Sequence, residues 1–528
     1  MHKPFIKGGL GFLLLFSIIF STHHGMTFAG LGGGGSGGEP GTILYGETPS
    51  ETSEDKPVIV FVQGLTNSSS MWYEGNDMYD MAHQAGYETA FVELYDSAGT
   101  PESYWDNGEM LAGQLETISA HYGGKKLAVV GYSKGGIDTQ TALVHYGKHD
   151  LVSELVTIGS PHHGSELADL AYSTWTWWLA SLLGSRNAGT ESLQTGNMNY
   201  FRSVTDGRPE IEKNSYYTLA GDDTGPWFSS TWWGGTMIPG PSDGVVSVES
   251  AHLPYAPMLA VGNWTHNNIR QGHQTFNVFK NVLTVGEEDA FSADTETAAT
   301  AERSSAESSN MIVRGGEQTG EAEESFFVEK EAEKITLHWL SGEELTEITV
   351  REPGSSSVRT MAVEGQKDDL FFEGAWHHTV EIEEPAAGEW TFSTETEEVS
   401  AYTAVLLLES TLNNEVRVTK DGPRGWQVAA EAVSKSGARP GTGRGAKVVY
   451  DVEFHPGDVK SRGGIGRNMR QQRLHNRQQA QNGKVTLPDR GNGTYNATID
   501  IEGTTPSGEK FERTVIRSVY IDEDGNAY

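Results

Sequence analysis

From Pro57 onward the chain alternates short runs of apolar, β-branched or aromatic residues with longer amphipathic stretches. The runs fall at 57–62, 87–94, 126–130, 151–158, 216–220 and 257–261, and helical periodicity separates most of them, as in 108–121 and 135–146. Uninterrupted apolar runs suit strands buried on both faces, and the helical stretches supply the crossovers that parallel strands require. The pattern predicts an α/β domain over 57–286, a mostly parallel sheet covered by helices.

That rhythm stops after the apolar helix ending near Leu283. Residues 287–333 carry 14 acids against three bases, with much Ala, Ser and Thr, so the early part buries too little apolar surface to offset its ordering entropy. An acidic linker is expected over 287–311. Beyond it, runs such as 334–340, 345–351, 390–394 and 401–408 are separated by Gly, Pro and Ser turns, which predicts a β-sandwich module over 312–410. Over 411–528 a second all-β module is expected. Its tail alternates over 495–502, turns at Pro506-Ser507-Gly508 and continues over 511–521, as a hairpin does. The Asp489-Arg490-Gly491-Asn492-Gly493-Thr494-Tyr495 stretch resembles bacterial immunoglobulin-like modules.

The N-terminus changes where the protein is expected to work. Lys3 and Lys7 precede an apolar stretch from Leu10 to Phe20 and the small-residue site Thr27-Phe28-Ala29, the pattern of a secretory signal peptide over 1–29. A Gly-rich tether is expected over 30–56. The 528 residues include no cysteine, so an exported chain would hold itself together without disulfides, which suits a bacterial route. A formal net charge of −34 disfavours nucleic acid as a partner, because phosphates are repelled. The basic island Lys460, Arg462, Arg467, Arg470, Arg473 and Arg477 lacks the aromatic platforms of nucleic-acid binders and reads as a solvated loop.

Candidate chemistry lies in Gly131-Tyr132-Ser133-Lys134-Gly135-Gly136, which matches G-x-S-x-G between an apolar run and a helical segment. A second match, at Ser36, sits in a glycine run and follows no strand. Only Ser133 has the strand-turn-helix context that projects a hydroxyl above a sheet edge. A serine nucleophile needs an imidazole to take its proton, a carboxylate to orient that imidazole and N–H donors for the oxyanion. For the acid, Asp222 and Asp223 compete with Asp243; for the base, His252 and His273 compete with His266. Asp222 and Asp223 precede Gly225-Pro226 and have a sufficient role in a turn, and a calcium role for them is conceivable. His273 falls four residues after Ile269 on an apolar stripe, where a packed core histidine is expected, while His266 lies on a loop after a strand.

Val58-Ile59-Val60-Phe61-Val62 running into Gln63-Gly64-Leu65, then the Ser133 motif, then Ser160-Pro161-His162-His163-Gly164-Ser165, then Ser242-Asp243-Gly244-Val245-Val246-Ser247, resembles the secreted bacterial lipases of the α/β-hydrolase fold. The resemblance covers 57 to about 283. It implies Ser133, Asp243 and His266 as the catalytic triad, with the backbone N–H groups of Leu65 and Lys134 as the oxyanion hole. Gln63 stands where that family usually has His.

Between the strands, Trp175, Trp178, Leu179, Leu182 and Leu183 share one face at 100° per residue, with Ser and Thr on much of the other. This predicts an amphipathic lid, with an ordinary cap helix packed on the core as the alternative. The expected activity is a secreted serine ester hydrolase acting on lipid or polymer esters at an interface, with no cofactor required. An extracellular polyester (polyhydroxyalkanoate) depolymerase and a non-catalytic surface-binding protein on the same scaffold are the alternatives, and in each the C-terminal modules would bind a surface or polymer.

Overall fold

The computed structural model describes residues 38–283, 306–368, 370–430, 446–457, 477–505 and 508–528. Seven strands form the first sheet: β1 (Ile43–Tyr45), β2 (Val58–Val62), β3 (Thr89–Val92), β4 (Leu127–Tyr132), β5 (Val152–Ile158), β6 (Ser215–Gly221) and β7 (Met258–Gly262). They lie in the order β1-β3-β2-β4-β5-β6-β7, parallel except for β1. Successive side chains of a strand face opposite sides, so β2 and β4 feed two cores. Val58, Val60, Val62, Leu127 and Val129 pack under the helices Tyr104–His121 and Lys134–Val144. Ile59, Phe61, Ala128 and Val130 pack with Trp72, Phe276 and Phe279 on the other side. Burial of both faces is why these strands read as continuous apolar runs.

Two stretches differ from their sequence reading. The expected tether 30–56 contains β1, which pairs antiparallel with β3 through Ile43 and Val92; residues 1–37, with the expected signal peptide and most of the glycine run, lie outside the described residues. Three residues at a sheet edge carry too little periodicity to stand out beside glycine. The expected linker 287–311 contains the strand Ala306–Ser308, which pairs with Val416–Lys420. Acidic composition hid it, because an edge strand can stay polar.

The C-terminal part is antiparallel β throughout its described residues. In residues 311–410 the strand Gly388–Ser410 pairs along one edge with Met311–Val328. That pairing is irregular between Thr396 and Ser400, and on the other edge the first half meets Glu347–Arg351 and the second half meets Ala332–Ser341. One sheet thereby turns over a core of Phe326, Leu337, Trp339, Trp390 and Phe392. Residues 411–528, with Ala306–Ser308 as one edge strand, form two four-stranded sheets around Val418, Trp426, Tyr450, Tyr495 and Ile499, including the expected hairpin as Gly493–Thr504 paired with Lys510–Ile521. Of the basic island only Arg477 is described, and it bonds Asp500 Oδ2 at 3.1 Å.

These β units dock on the α/β domain. Leu170, Tyr172, Leu179 and Trp233 share one buried cluster with Val313, Leu340, Phe372, Val405 and Ile516. Several polar groups pair across the seam: Thr174 N–H donates to Thr498 Oγ1 (2.9 Å), Asn496 Nδ2 to the Asp169 carbonyl (2.9 Å), and Asn197 Nδ2 to Thr494 Oγ1 (2.8 Å), while Tyr200 stacks on Tyr520. Burial pushes the Asp169 carboxyl up to about 7 although Thr195 donates to it. A carboxyl with a raised native value contributes stability that is complete below its ordinary value near 3.8 and is lost as pH rises through about 7. The wild-type melting temperature should therefore fall more steeply between pH 5 and pH 8 than that of Asp169→Asn. Parallel slopes in calorimetry would assign the trend to other acids.

Candidate active site

Ser133 caps the step from β4 into the helix Lys134–Val144 with φ 52° and ψ −128°, a conformation a non-glycine residue holds only under constraint. The flanking glycines allow the crowding this turn creates. A Cβ on Gly131 would lie 2.8 Å from Gly136 Cα, and one on Gly135 would lie 2.3 Å from the Gln63 carbonyl oxygen. Both distances are shorter than real Cβ contacts, so the sharp turn and its close passage past β2 require glycine.

Three elements converge on this turn. His266 Nε2 is 3.1 Å from Ser133 Oγ, and its Nδ1 is 2.7 Å from Asp243 Oδ2. Asp243 Oδ1 accepts the N–H groups of Val245 (2.9 Å) and Val246 (2.8 Å), which fixes the carboxylate against its own loop. The His266 N–H donates to the Asp243 carbonyl at 2.8 Å, and Tyr132 Oη donates to the His266 carbonyl at 2.9 Å. All three side chains are buried, in a chain order of Ser, Asp and His. This geometry can move a proton from Ser133 to His266 while Asp243 holds the ring and balances its charge.

The other candidates lie elsewhere. Asp223 Oδ1 accepts the Gly225 N–H at 2.8 Å in a turn, and Asp222 is exposed. Among the described residues no three metal-ligating side chains are gathered. His252 is absent from the pocket wall. His273 departs from its expected place in the core: its side chain is 60% exposed and meets Asp77 at 3.2 Å. The helix starts at Gly272 rather than running on from Ile269, so the stripe falls on Phe276 and Phe279 and His273 turns outward.

A cavity of about 370 Å³ opens at Ser133, with Leu65, Leu193, Val245 and Val246 among its walls. The predicted lid face does not form it. The helix there is Trp177–Leu183, and Trp175, Trp178 and Leu179 pack in the cluster shared with the C-terminal sheets; the Leu182 side chain lies outside the described residues. Trp175 Nε1 donates to Asp500 Oδ1 at 3.3 Å. What reaches the pocket instead is Leu370 and Phe371, from a loop of the first β unit. Leu370 and Phe371 contact the Val245–Val246 side, and Phe371 also contacts the side of Leu193 and Leu65. The sequence reading missed this pair. Its signal was the apolar triplet Leu370-Phe371-Phe372 within an acidic loop, a pattern that is costly in a turn unless something covers it.

The sequence profile of the α/β-hydrolase fold matches residues 57–216. Triacylglycerol lipases of Pseudarthrobacter phenanthrenivorans and Burkholderia plantarii are each 29% identical over 117 residues, 21% of this chain. The chain spans about a third of the length of these curated relatives, 35% and 31% respectively. A crystal structure of a Bacillus licheniformis lipase in its propeptide form is similar over 93% of this chain and all of that one, with 33% identity and a TM-score of 0.77. With a mostly parallel sheet covered by helices, a serine at the turn from β4 into a helix and likeness to that lipase over nearly the full length, the chain belongs to the lipase-like α/β-hydrolases.

Proposed function

We propose that this chain is the precursor of a secreted serine ester hydrolase of the lipase type, whose C-terminal β units occupy the acyl-chain side of the active site and leave room for small esters only. The observation that carries the reading is the Ser133–His266–Asp243 chain of hydrogen bonds beside a cavity entered by Leu370 and Phe371. In the first step His266 Nε2 takes the Ser133 proton as Oγ attacks the ester carbonyl. The oxyanion forms opposite the Leu65 and Lys134 N–H groups, and His266 returns the proton to the departing alcohol. Water then attacks the acyl-enzyme, with His266 taking its proton, and releases the acid and free Ser133. None of these steps calls on a cofactor.

The side of the cavity formed by Leu65, Leu193, Val245 and Val246 suits the acyl chain of a lipid ester, while Asn67, Asn268 and Arg270 leave the rest of the lining polar. The Trp175–Leu183 segment carries an apolar face that the C-terminal sheets occupy. Removal of those sheets would present it to a lipid or polymer surface, which is how the lid expectation fits this arrangement. The propeptide form of the Bacillus licheniformis lipase supports reading residues 311–528 as a propeptide here. An assembled triad disfavours a non-catalytic scaffold.

Two histidines test the mechanism on a soluble acetyl ester. His266→Ala is expected to abolish turnover with the circular dichroism spectrum retained, because no other imidazole meets Ser133 among the described residues. His273→Ala should leave turnover within about twofold and lower stability by no more than about 1 kcal/mol, since its contact with Asp77 is exposed. Loss of turnover in His273→Ala alone would reject the mechanism.

A further inference from the structure

Behind the nucleophile turn lies a buried ionic cluster that the hydrolytic chemistry does not itself use. Lys134 follows Ser133 directly, yet its side chain is fully buried and runs away from the pocket. Its Nζ lies 3.3 Å from Asp96 Oδ2 and 3.1 Å from both oxygens of Asp138. Asn107 Nδ2 also donates to both carboxylates, at 3.0 Å to Asp138, and Asn107 Oδ1 accepts the Tyr95 N–H at 3.3 Å. Burial alone would strip the Lys134 proton, but the charges of Asp138 and Asp96 reverse this and hold the ammonium above its ordinary range.

Asp96 belongs to the short turn Tyr95–Ala98, which follows β3. The same segment grips Gln63. In the orientation that satisfies both ends of its amide, the Gln63 nitrogen donates to the Val92 carbonyl, and its oxygen accepts from Leu94 N–H and Ser97 Oγ, each at 2.8 Å. Gln63 is two residues before Leu65, and Lys134 carries the other N–H of the expected oxyanion pair. Two loops from different strands, β2 and β4, are thus tied by buried side chains to one turn after β3. They also touch each other, since Gly135 sits against the Gln63 carbonyl.

We propose that the Asp96-containing turn is the common anchor of the oxyanion hole, with Gln63, Asp96 and the Lys134 side chain acting as positioning residues that set the distance between the Leu65 and Lys134 N–H groups. This rests on the serine-hydrolase reading above. An oxyanion hole works because its donors are already in place when charge develops, so a few tenths of an ångström between the two loops matters to rate more than to substrate binding. It also gives Gln63 a function at the position where related lipases usually have His.

The test is a double-mutant cycle in the full-length chain, with p-nitrophenyl acetate as substrate and phenylboronic acid as the tetrahedral probe. Asp96→Asn keeps the size of the side chain and breaks its ion pair. It should lower kcat about tenfold, leave KM within about twofold, weaken the boronate by a similar factor, and leave the shape of the pH–rate profile unchanged. Gln63→Leu should do the same. Because both residues act through one turn, the double variant should lose far less than the product of the single losses. Asp138→Asn weakens the same ammonium contact from within the Lys134 helix and should cost less than about threefold. Multiplying losses, equal effects of Asp138→Asn and Asp96→Asn, or lost turnover with unchanged boronate binding would overturn the proposal. If Asp96→Asn fails to fold, Ser97→Ala takes its place in the cycle with the same criteria. Full activity in Ser133→Ala would instead reject the serine mechanism and leave the anchor without a reaction to serve.

Discussion

Ser133→Ala is expected to lose ester hydrolysis by about three or more orders of magnitude while the fold stays intact. Among the described residues the hydroxyl meets only His266 Nε2, so its removal unpairs that one pocket-lining atom and disturbs no other hydrogen bond. The alanine methyl fits the same turn, although φ 52° is unfavourable for either residue and stability should change by less than about 1 kcal/mol. Residual activity would come from the oxyanion donors acting on bound ester with water as nucleophile, which sets the floor of the loss. Ser36→Ala serves as control, because Ser36 matches the same pattern in a glycine run. The measurement is turnover of a soluble p-nitrophenyl ester by both variants, with thermal melting alongside. Near wild-type turnover in Ser133→Ala would remove the nucleophile from the mechanism.

Leu370→Gly combined with Phe371→Gly is expected to raise turnover of long-chain esters by about tenfold or more in the full-length chain, and to change acetate turnover by much less. The two side chains sit in apolar surroundings on both sides of Ser133. Full burial of such side chains is worth about 1.5–3 kcal/mol each and these two are half-buried, so the plug is held by about 1.5–3 kcal/mol in all, and each 1.4 kcal/mol is a factor of ten. A long acyl chain must displace them, whereas an acetyl group fits the roughly 370 Å³ that stays open beside them. The loop is part of the same chain, so its effective concentration at the pocket is high and dilution does not release it. Phe372 stays in place in this variant because it packs against Trp233 within the domain seam. Chain-length profiles of wild type and double variant, measured on p-nitrophenyl acetate and p-nitrophenyl palmitate, separate the outcomes. Equal gains on both esters would mean that the loop limits access in general rather than occupying the acyl site, and no gain on either would mean that it does not block the site.

The large buried seam implies that removing the plug and releasing the β units are different events. The loop variant opens the pocket alone, with Leu179 and Trp233 still covered. Full release would uncover them together with Trp175 and Trp178, and only then would the enzyme present a broad apolar face to a lipid surface. Activity on emulsions should therefore lag behind activity on dissolved long-chain esters in the loop variant.

Much of the fold and part of the site could be read from sequence because the controlling physics is local. Buried parallel strands need continuous apolar runs, and six such runs mark β2 to β7; a nucleophile turn needs a strand, a serine between glycines and a helix, which Gly131 to Gly136 displays within one segment. The order Ser133, Asp243, His266 narrowed the partners, since loops at one end of a parallel sheet meet in space. Tertiary structure decided what local pattern leaves open. Whether His273 turned inward depended on where its helix began, and β1 and Ala306–Ser308 became strands because a sheet edge was there to pair with them. The aromatic face around Trp178 has the same amphipathic pattern whether it covers its own pocket or receives a neighbouring sheet. What selects the second arrangement is the burial of apolar surface between parts of the chain more than a hundred residues apart, an energy that depends on shape complementarity and has no periodicity along the sequence.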